Sequence, residues 1–197
     1  CRGRIFDVVE KDCGQYDTVT EVMWGTGAAL FIRLADYREV GGLDDHFFAH
    51  MEEIDLCWRL RSRGKKLVCI PQSVVYHVGG ATLKKENPRK TFLNFRNNLL
   101  MLYKNLPDKE LEHVLFIRGI LDRVAALVFY LKKDRANARA VMQARREFED
   151  IRYSFAASRI ENIMKSTDEM IPERTHFSIL MKYYLLGKKH FSQLKLF

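Results

Sequence analysis

Three acidic side chains, Glu52, Glu53 and Asp55, stand within four positions of one another at the start of a segment with helical periodicity. We expect a helix from residue 48 to residue 63, ended by Gly64. Acids in its first turn and arginines in its last turn both complement the helix dipole. This dipole role is the structural interpretation of the three acids.

Helical spacing separates the three acids from one another. The residues three, four and seven positions after Glu53 are apolar, so Glu53 should lie on the face that packs against the protein. Asp55 has Arg59 four positions later, which is the spacing of a solvated ion pair, and Glu52 lies at the border of the two faces. The sequence leaves open whether burial raises the pKa of Glu53 or the helix N-terminus lowers it. A buried carboxylate that faces a pocket is a candidate general base; capping or a salt bridge is the alternative.

Two further segments have the composition of binding elements. His77 ends a β-branched run and precedes Val78-Gly79-Gly80, where glycine lets a ligand or another backbone approach closely. A lone histidine of this kind is either structural or a ligand-binding group. The turn Trp24-Gly25-Thr26-Gly27 is a candidate binding loop, although it matches neither GxGxxG nor a P-loop.

The first half of the chain mixes strand and helix patterns. Residues 19–24 lead into the turn at Gly25, and apolar or β-branched runs predict three strands, over residues 28–32, 66–70 and 73–78. A short helix over residues 36–40 should stop at Gly41-Gly42. Strands that alternate with helices predict an α/β fold in this half.

The second half has a helical pattern almost throughout. We expect helices from Pro88 through residue 105, over residues 109–133, over 134–165, and in the last apolar and basic run, 177–191. Residues 114–131 are apolar but contain Arg118, Asp122 and Arg123, which favours a packed or interfacial helix over a membrane span. The predicted organisation is a first domain over residues 1–105 and a helical region over 106–197.

Charge and cysteine content narrow the class of protein. Residues 1–82 hold 10 Lys and Arg against 12 Asp and Glu, whereas residues 83–197 hold 23 against 13, so the second half is strongly basic. The four cysteines show no CxxC spacing, which favours a reducing compartment over a disulfide framework. The chain begins at Cys1 without a methionine or a signal-peptide pattern, and we interpret it as a piece of a longer protein.

Residues 25–82 closely resemble the C-terminal half of the catalytic domain of family 2 glycosyltransferases, and most of all its bacterial rhamnosyltransferase-like members. The resemblance extends to about residue 100, includes Arg96-Asn97-Asn98, and weakens beyond. An ordered set of elements carries it: Val40-Gly41-Gly42-Leu43-Asp44, Phe47-Phe48, Glu52-Glu53-Ile54-Asp55-Leu56, Gly64, Pro71 and His77-Val78-Gly79-Gly80.

This resemblance implies part of a GT-A fold and inverting transfer of a sugar from a nucleotide-diphosphate sugar. The second member of the acidic pair is the family's usual base, which implies that role for Glu53. The family usually has aspartate there, so Glu52 and Asp55 stay candidates. Trp24, Gly25, Thr26, Gly27 and Asp44 are the implied substrate-binding residues.

The resemblance also implies a divalent cation, Mg²⁺ or Mn²⁺, held by an Asp-x-Asp. This chain contains no Asp-x-Asp, so we expect those ligands upstream of Cys1. By the same resemblance, His77 is a further contact to the metal or to the diphosphate. The family's nucleotide-binding half should also lie upstream, and we expect the isolated chain to be inactive without it.

The implied partners are the nucleotide-sugar donor and a glycan or lipid-linked acceptor. We expect a cytoplasmic protein, peripheral at the inner-membrane surface; association into a homo-oligomer is left open. The alternative interpretation is a non-catalytic basic helical module for membrane-surface or protein association. Nucleic-acid binding is set aside, because acids interleave with the basic residues and no recognised motif accompanies them.

Overall fold

The computed structural model describes residues 4–6, 8–77, 87–167, 171–175 and 178–194. Its strands are short and antiparallel. β1 (Arg4–Ile5) pairs with β2 (Val8–Val9), and β3 (Thr20–Glu21) pairs with β4 (Val68–Cys69). The second pair joins the predicted strand over residues 66–70 to residues 20–21, with 46 residues of chain between Glu21 and Val68.

Helices form the rest of the architecture. They are α1 (Leu34–Glu39), α2 (Glu52–Ser62), α3 (Pro88–Asn105), α4 (Asp108–Leu131), α5 (Arg135–Ile151) and α6 (Ala156–Met164). α3 begins with Pro88, because proline is tolerated at the first position of a helix. The Asn87 side chain caps this helix by accepting a hydrogen bond from the Arg89 amide at 2.9 Å. No helix of the described residues is both long and apolar enough to span a membrane.

One hydrophobic core joins the two halves of the chain. α5 packs along α3 and α4, and α2 and α6 pack against α3. Phe47 and Trp58 from the first half lie in the same buried cluster as Leu100, Leu115 and Phe148 from the second. Non-local burial of this kind is the main source of stability in a small fold. The division at residue 105 stays a prediction, and this core extends across it.

Most predicted helices are confirmed, and two local predictions are wrong. Residues 28–32 are not a buried strand: Gly27–Ala29 form a 3-10 turn whose start is capped by the Thr26 hydroxyl, and Phe31 is 88% exposed. Residues 73–77 form no strand, and residue 78 lies outside the described residues. The predicted α/β class and partial GT-A fold stay predictions.

The other differences concern where helices begin and end. α2 begins at residue 52 rather than 48, because three of the four residues before it have positive φ. The predicted helix over 134–165 is divided into α5 and α6 by a 3-10 turn, Arg152–Phe155. In the last run only a short π-helical segment, Met181–Leu185, precedes irregular chain.

The two glycines after α1 offer a matched pair of substitutions. Gly41 and Gly42 both have positive φ (82° and 69°), but a Cβ on Gly42 would lie 2.9 Å from the Tyr37 ring, whereas one on Gly41 meets nothing within 4 Å. Gly41→Ala should lower the free energy of unfolding by about 1 kcal/mol. Gly42→Ala should lower it by about 2–4 kcal/mol, because overpacking adds to the backbone strain. Urea denaturation measures both, and equal losses would contradict the packing argument.

Candidate active site

Glu53 lies in the first turn of α2, half-buried beneath the loop that contains Gly25 and Gly27. A Cβ on Gly27 would lie 3.8 Å from the Glu53 Cβ, so the loop backbone passes close over the acid. The Gly25 amide donates a hydrogen bond to the Cys57 thiol one turn further along α2, which fixes the loop to the helix. The structure therefore brings together the predicted base and part of the predicted binding loop.

The electrostatics of Glu53 answer the question that the sequence leaves open. Burial raises the pKa of Glu53 above its ordinary value, and the neighbouring charge of Glu52 raises it further. Hydrogen bonds from the amides of Glu53 and Ile54 at the helix start lower the pKa by less. Glu53 is therefore a stronger proton acceptor than an exposed glutamate.

Three polar atoms around this acid are buried without a hydrogen-bond partner among the described residues. They are Oε2 of Glu53, Oε2 of Glu52 and Nε2 of His50. Burial, together with the charge of Lys90, holds the pKa of His50 below its ordinary value, so its ring is mostly neutral at pH 7. Unpaired buried polar atoms are costly; three of them within four residues are available to bind a polar ligand.

A strained turn leads into the acidic pair. Phe48, His50 and Met51 have φ of 60°, 70° and 73°, which side chains other than glycine rarely adopt. The amide nitrogen of Asn97, which is fully buried in α3, lies 2.8 Å from the carbonyl oxygens of Phe47, Ala49 and His50. Backbone strain that the surrounding structure maintains in this way is typical of functional sites.

Asn97 offers a direct test of how the turn is held. Asn97→Ala should lower the free energy of unfolding by about 2–3 kcal/mol, because buried carbonyls then lose their donor. The neighbouring Asn98, whose amide nitrogen is 4.0 Å from the Met51 sulfur, is the matched control, and Asn98→Ala should cost less than about 1 kcal/mol. Urea denaturation compares the two variants; an equal loss for both would show that Asn97 does not hold the turn.

Asp55 and Arg59 were predicted to form an ion pair exposed to solvent, and the predicted exposure is wrong. The two residues do pair, with the Asp55 Oδ2 2.9 Å from Arg59 Nε, but Asp55 is fully buried. Its oxygens also accept from Lys104 Nζ at 3.0 Å and Asn105 Nδ2 at 2.8 Å. Arg59 donates in turn to the carbonyls of Val40 and Gly42. Asp55 thus ties α2 to α3.

Asp44, predicted as a substrate-binding residue, belongs to the same network. Its carboxylate is 2.6 Å from Lys104 Nζ and caps a short turn by accepting from the His46 amide at 3.1 Å. Burial is the largest influence and would raise the pKa of Asp44, but the hydrogen bond and charge of Lys104 together with the hydrogen bonds from His46 outweigh it, and the pKa is lowered. Lys104 therefore lies between two carboxylates, those of Asp44 and Asp55.

The remaining predicted residues lie as follows. Trp24 is partly buried beside the loop, and Thr26 is exposed where its hydroxyl caps the 3-10 turn. His77 is exposed and makes no hydrogen bond or ion pair with the described residues, and its neighbours 78–80 lie outside them. Within residues 4–6, 8–77, 87–167, 171–175 and 178–194, no cluster of three or more His, Cys, Asp or Glu is arranged to hold a metal ion.

Sequence reasoning gave no role to three residues of this region: His50, Asn97 and Lys104. His50 is too close to the helix start to be distinguished from a loop residue. One signal pointed to Asn97, since asparagine is disfavoured in a helix interior and Asn97-Asn98 lies in the middle of α3. Nothing local indicates that Lys104 is buried.

Comparisons with known proteins point to one class of enzyme. The chain is 33% identical over 69 residues to rhamnosyltransferase WbbL of Escherichia coli, covering 35% of this chain and 25% of that protein. It is 38% identical over 56 residues to N-acetylglucosaminyl-diphospho-decaprenol L-rhamnosyltransferase of Mycobacterium tuberculosis, covering 28% and 18%. Pre-mycofactocin glycosyltransferase of the same organism is 30% identical over 141 residues, covering 66% and 29%.

These similarities are partial. The chain spans between 18% and 29% of the length of these relatives. No protein-family model matches it, and no solved structure matches it. The similarities support glycosyl transfer as the general function.

Proposed function

We propose that this chain is the acceptor-side part of an inverting family 2 glycosyltransferase. Its donor is a nucleotide-diphosphate sugar, and its acceptor is a hydroxyl of a glycan or a lipid-linked glycan. The observation that carries the proposal is the half-buried Glu53 carboxylate, which has an unpaired oxygen beneath the Gly25–Gly27 loop. The partial similarities to glycosyltransferases support it independently.

In the proposed mechanism, Glu53 accepts the proton of the acceptor hydroxyl. The hydroxyl oxygen attacks the anomeric carbon from the side opposite the diphosphate. A new carbon–oxygen bond forms as the old one breaks, the electron pair leaves with the diphosphate, and the anomeric configuration inverts. The raised pKa of Glu53 suits this role, because a base works best when its pKa lies near the operating pH.

The surroundings of Glu53 assist the base in two ways. Glycine at position 27 keeps a side chain away from the acid, since a Cβ there would lie 3.8 Å from the Glu53 Cβ. Asn97 holds the strained turn that precedes the acidic pair, so the carboxylate keeps its position while its Oε2 has no hydrogen-bond partner among the described residues. Positioning of this kind lowers the entropic cost of reaching the transition state.

The divalent cation of the proposal has no set of ligands among the described residues. His77 is exposed and has no acidic cluster around it. The described residues therefore do not provide a site that fits a metal ion.

Transfer of labelled sugar tests the proposal. The chain is expressed with whatever its gene encodes before Cys1 and is supplied with a panel of nucleotide-diphosphate sugars and polyprenyl-diphosphate-linked acceptors. We expect a glycoside of inverted anomeric configuration, identified by NMR spectroscopy. A product of retained configuration would overturn the inverting mechanism, and absence of transfer from every donor would overturn the enzyme assignment.

A further inference from the structure

α4 exposes a long apolar face to solvent. Its large apolar side chains on this side are each between 41% and 70% exposed: Phe116, Ile117, Ile120, Val124, Leu127, Val128 and Leu131. Their spacing of three and four positions places them on one side of the helix, which we call the α4 outer face. From Phe116 to Leu131 it extends about 22 Å along the helix axis.

The opposite side of the same helix is the one that packs. Its residues Leu111, Leu115, Gly119, Asp122 and Ala126 are buried. Between residues 116 and 131 the charged residue along the α4 outer face is Arg123, which is three positions after Ile120 and four before Leu127 and lies at the margin of the face. An exposed apolar surface of this extent on a soluble monomer marks an interaction site.

The charge around the α4 outer face is of one sign. Residues 113–146 contain eight Lys and Arg and two Asp, a net charge of +6. Both acids have partners within the protein: Asp122 is 1% exposed and pairs with Arg118 and Arg145, and Asp134, which is partly exposed, caps α5 through the Asn137 amide. The basic side chains include six that are exposed: Arg123, Lys132, Lys133, Arg135, Arg139 and Arg146.

Apolar and basic groups meet in a shallow groove between α4 and α5. Leu127 and Tyr130 from α4 line it together with Arg139, Met142 and Arg146 from α5. Tyr130 is 55% exposed. Apolar side chains bordered by arginines and a tyrosine are the composition of a helix that lies in a membrane interface.

We propose that the α4 outer face lies on the surface of an anionic membrane. Its apolar side chains enter the boundary between headgroups and acyl chains, and the arginines of α5 contact lipid phosphates. A second copy is a poorer occupant, because it would bring a second net charge of +6 to the same contact. This inference is independent of the glycosyl-transfer proposal.

Vesicle co-sedimentation of the full chain tests the apolar part of this surface. Ile120 on the α4 outer face and Ile160 on α6 are 50% and 59% exposed, so Ile120→Glu and Ile160→Glu form a matched pair. With vesicles containing phosphatidylglycerol, Ile120→Glu should weaken binding at least tenfold and Ile160→Glu less than twofold. Thermal unfolding checks that both variants fold. Equal binding by the two variants would overturn the assignment of this face.

Further experiments test whether binding depends on the arginines and whether the chain associates with a second copy. Arg139→Gln and Arg146→Gln should each weaken binding about fivefold, and salt should weaken it further. Equal binding to neutral phosphatidylcholine vesicles would overturn the role of the arginines. Analytical ultracentrifugation without lipid should show a monomer; a dimer that Ile120→Glu dissociates would identify a second copy as the occupant and overturn the proposal.

Discussion

Glu53→Gln should lower the turnover number of sugar transfer by about 10²- to 10⁴-fold, which is the usual contribution of a general base. Glutamine keeps the size of the side chain and its position at the start of α2, but it cannot accept the proton of the acceptor hydroxyl. The Michaelis constants should change little, because the proton moves only in the transition state. Steady-state kinetics with labelled donor measures both parameters.

Three further variants identify which acid is the base. Glu53→Asp restores the residue usual in the resembled family and should retain more activity than Glu53→Gln, because a carboxylate remains. Glu52→Gln should lower the turnover number less, because it only removes the Glu52 charge that raises the pKa of Glu53. Glu112→Gln, at an exposed position of α4, is the control and should leave the rate unchanged. A large loss in Glu52→Gln with an active Glu53→Gln would transfer the role of base to Glu52.

The raised pKa of Glu53 also gives a pH signature. The rate should fall as the pH drops through that pKa, at a higher pH than the ordinary value of about 4.3. A raised pKa means that the folded state holds the charged carboxylate less well than the unfolded state does. Stability from this group is therefore complete below its unfolded pKa and is lost as the pH rises through the folded one.

Glutamine at position 53 cannot ionise, so the Glu53→Gln variant does not lose stability as the pH rises. At pH 7.5 the Glu53→Gln variant should melt about 2 °C higher than the unchanged chain, a small gain because the carboxylate is only half-buried. The gain should vanish near pH 3, where the carboxylate is protonated in both states. Calorimetry at the two pH values measures it. A variant that loses activity and also melts lower at pH 7.5 would contradict the cost assigned to the charged acid.

The contrast between Glu53 and Asp55 shows what helical periodicity can locate. Spacing alone placed Glu53 on the inward face, because the residues three, four and seven positions later are apolar. The same spacing paired Asp55 with Arg59 correctly but predicted a solvated pair. The error arose because the other ligands of Asp55, Lys104 and Asn105, lie on α3, about fifty positions away, and local patterns do not report such contacts.

The prediction of where α2 begins was wrong for a related reason. The pattern extended the helix back to residue 48, but positive φ at Phe48, His50 and Met51 prevents this. That conformation is intrinsically unfavourable for these residue types, and Asn97, nearly fifty positions away, maintains it. Local propensity therefore favoured the wrong structure where tertiary contacts impose strain, which is where functional residues concentrate.

Helices were predicted more accurately than strands, because a helix depends on contacts between residues close in sequence, whereas a strand depends on a partner that is distant in sequence. Each predicted helix that contains several turns carries its own hydrogen bonds, so α3 and α4 follow from composition and from Pro88. A strand needs a partner, and the apolar run over residues 28–32 becomes a turn with Phe31 exposed. In α4 the apolar pattern was correct, but only the packed structure distinguishes the buried side from the α4 outer face.

Asp55→Ala should lower the free energy of unfolding by about 3–5 kcal/mol, the largest stability effect expected in this chain. The substitution leaves Arg59 buried, at 5% exposure, without the carboxylate that it pairs with, whereas Lys104, at 2% exposure, keeps Asp44. Removal of one partner of a buried ion pair costs far more than the pair contributes, because the remaining charge is desolvated and uncompensated. Asp150→Ala, at an exposed position near the end of α5, is the control and should cost less than about 0.5 kcal/mol.

A double-mutant cycle with Lys104→Met measures how much of that loss comes from the contact between Asp55 and Lys104. Lys104→Met alone is destabilising because it leaves Asp44 and Asp55 without this cation, and it should cost less once Asp55→Ala has removed one of the two carboxylates. The coupling free energy of this double-mutant cycle should be about 1–3 kcal/mol, measured by urea denaturation. Additive losses would mean that Asp55 acts through shape alone. Because Asp55 joins α2 to α3, coupling would also explain how the helix that carries Glu53 stays in register with the helix that carries Asn97.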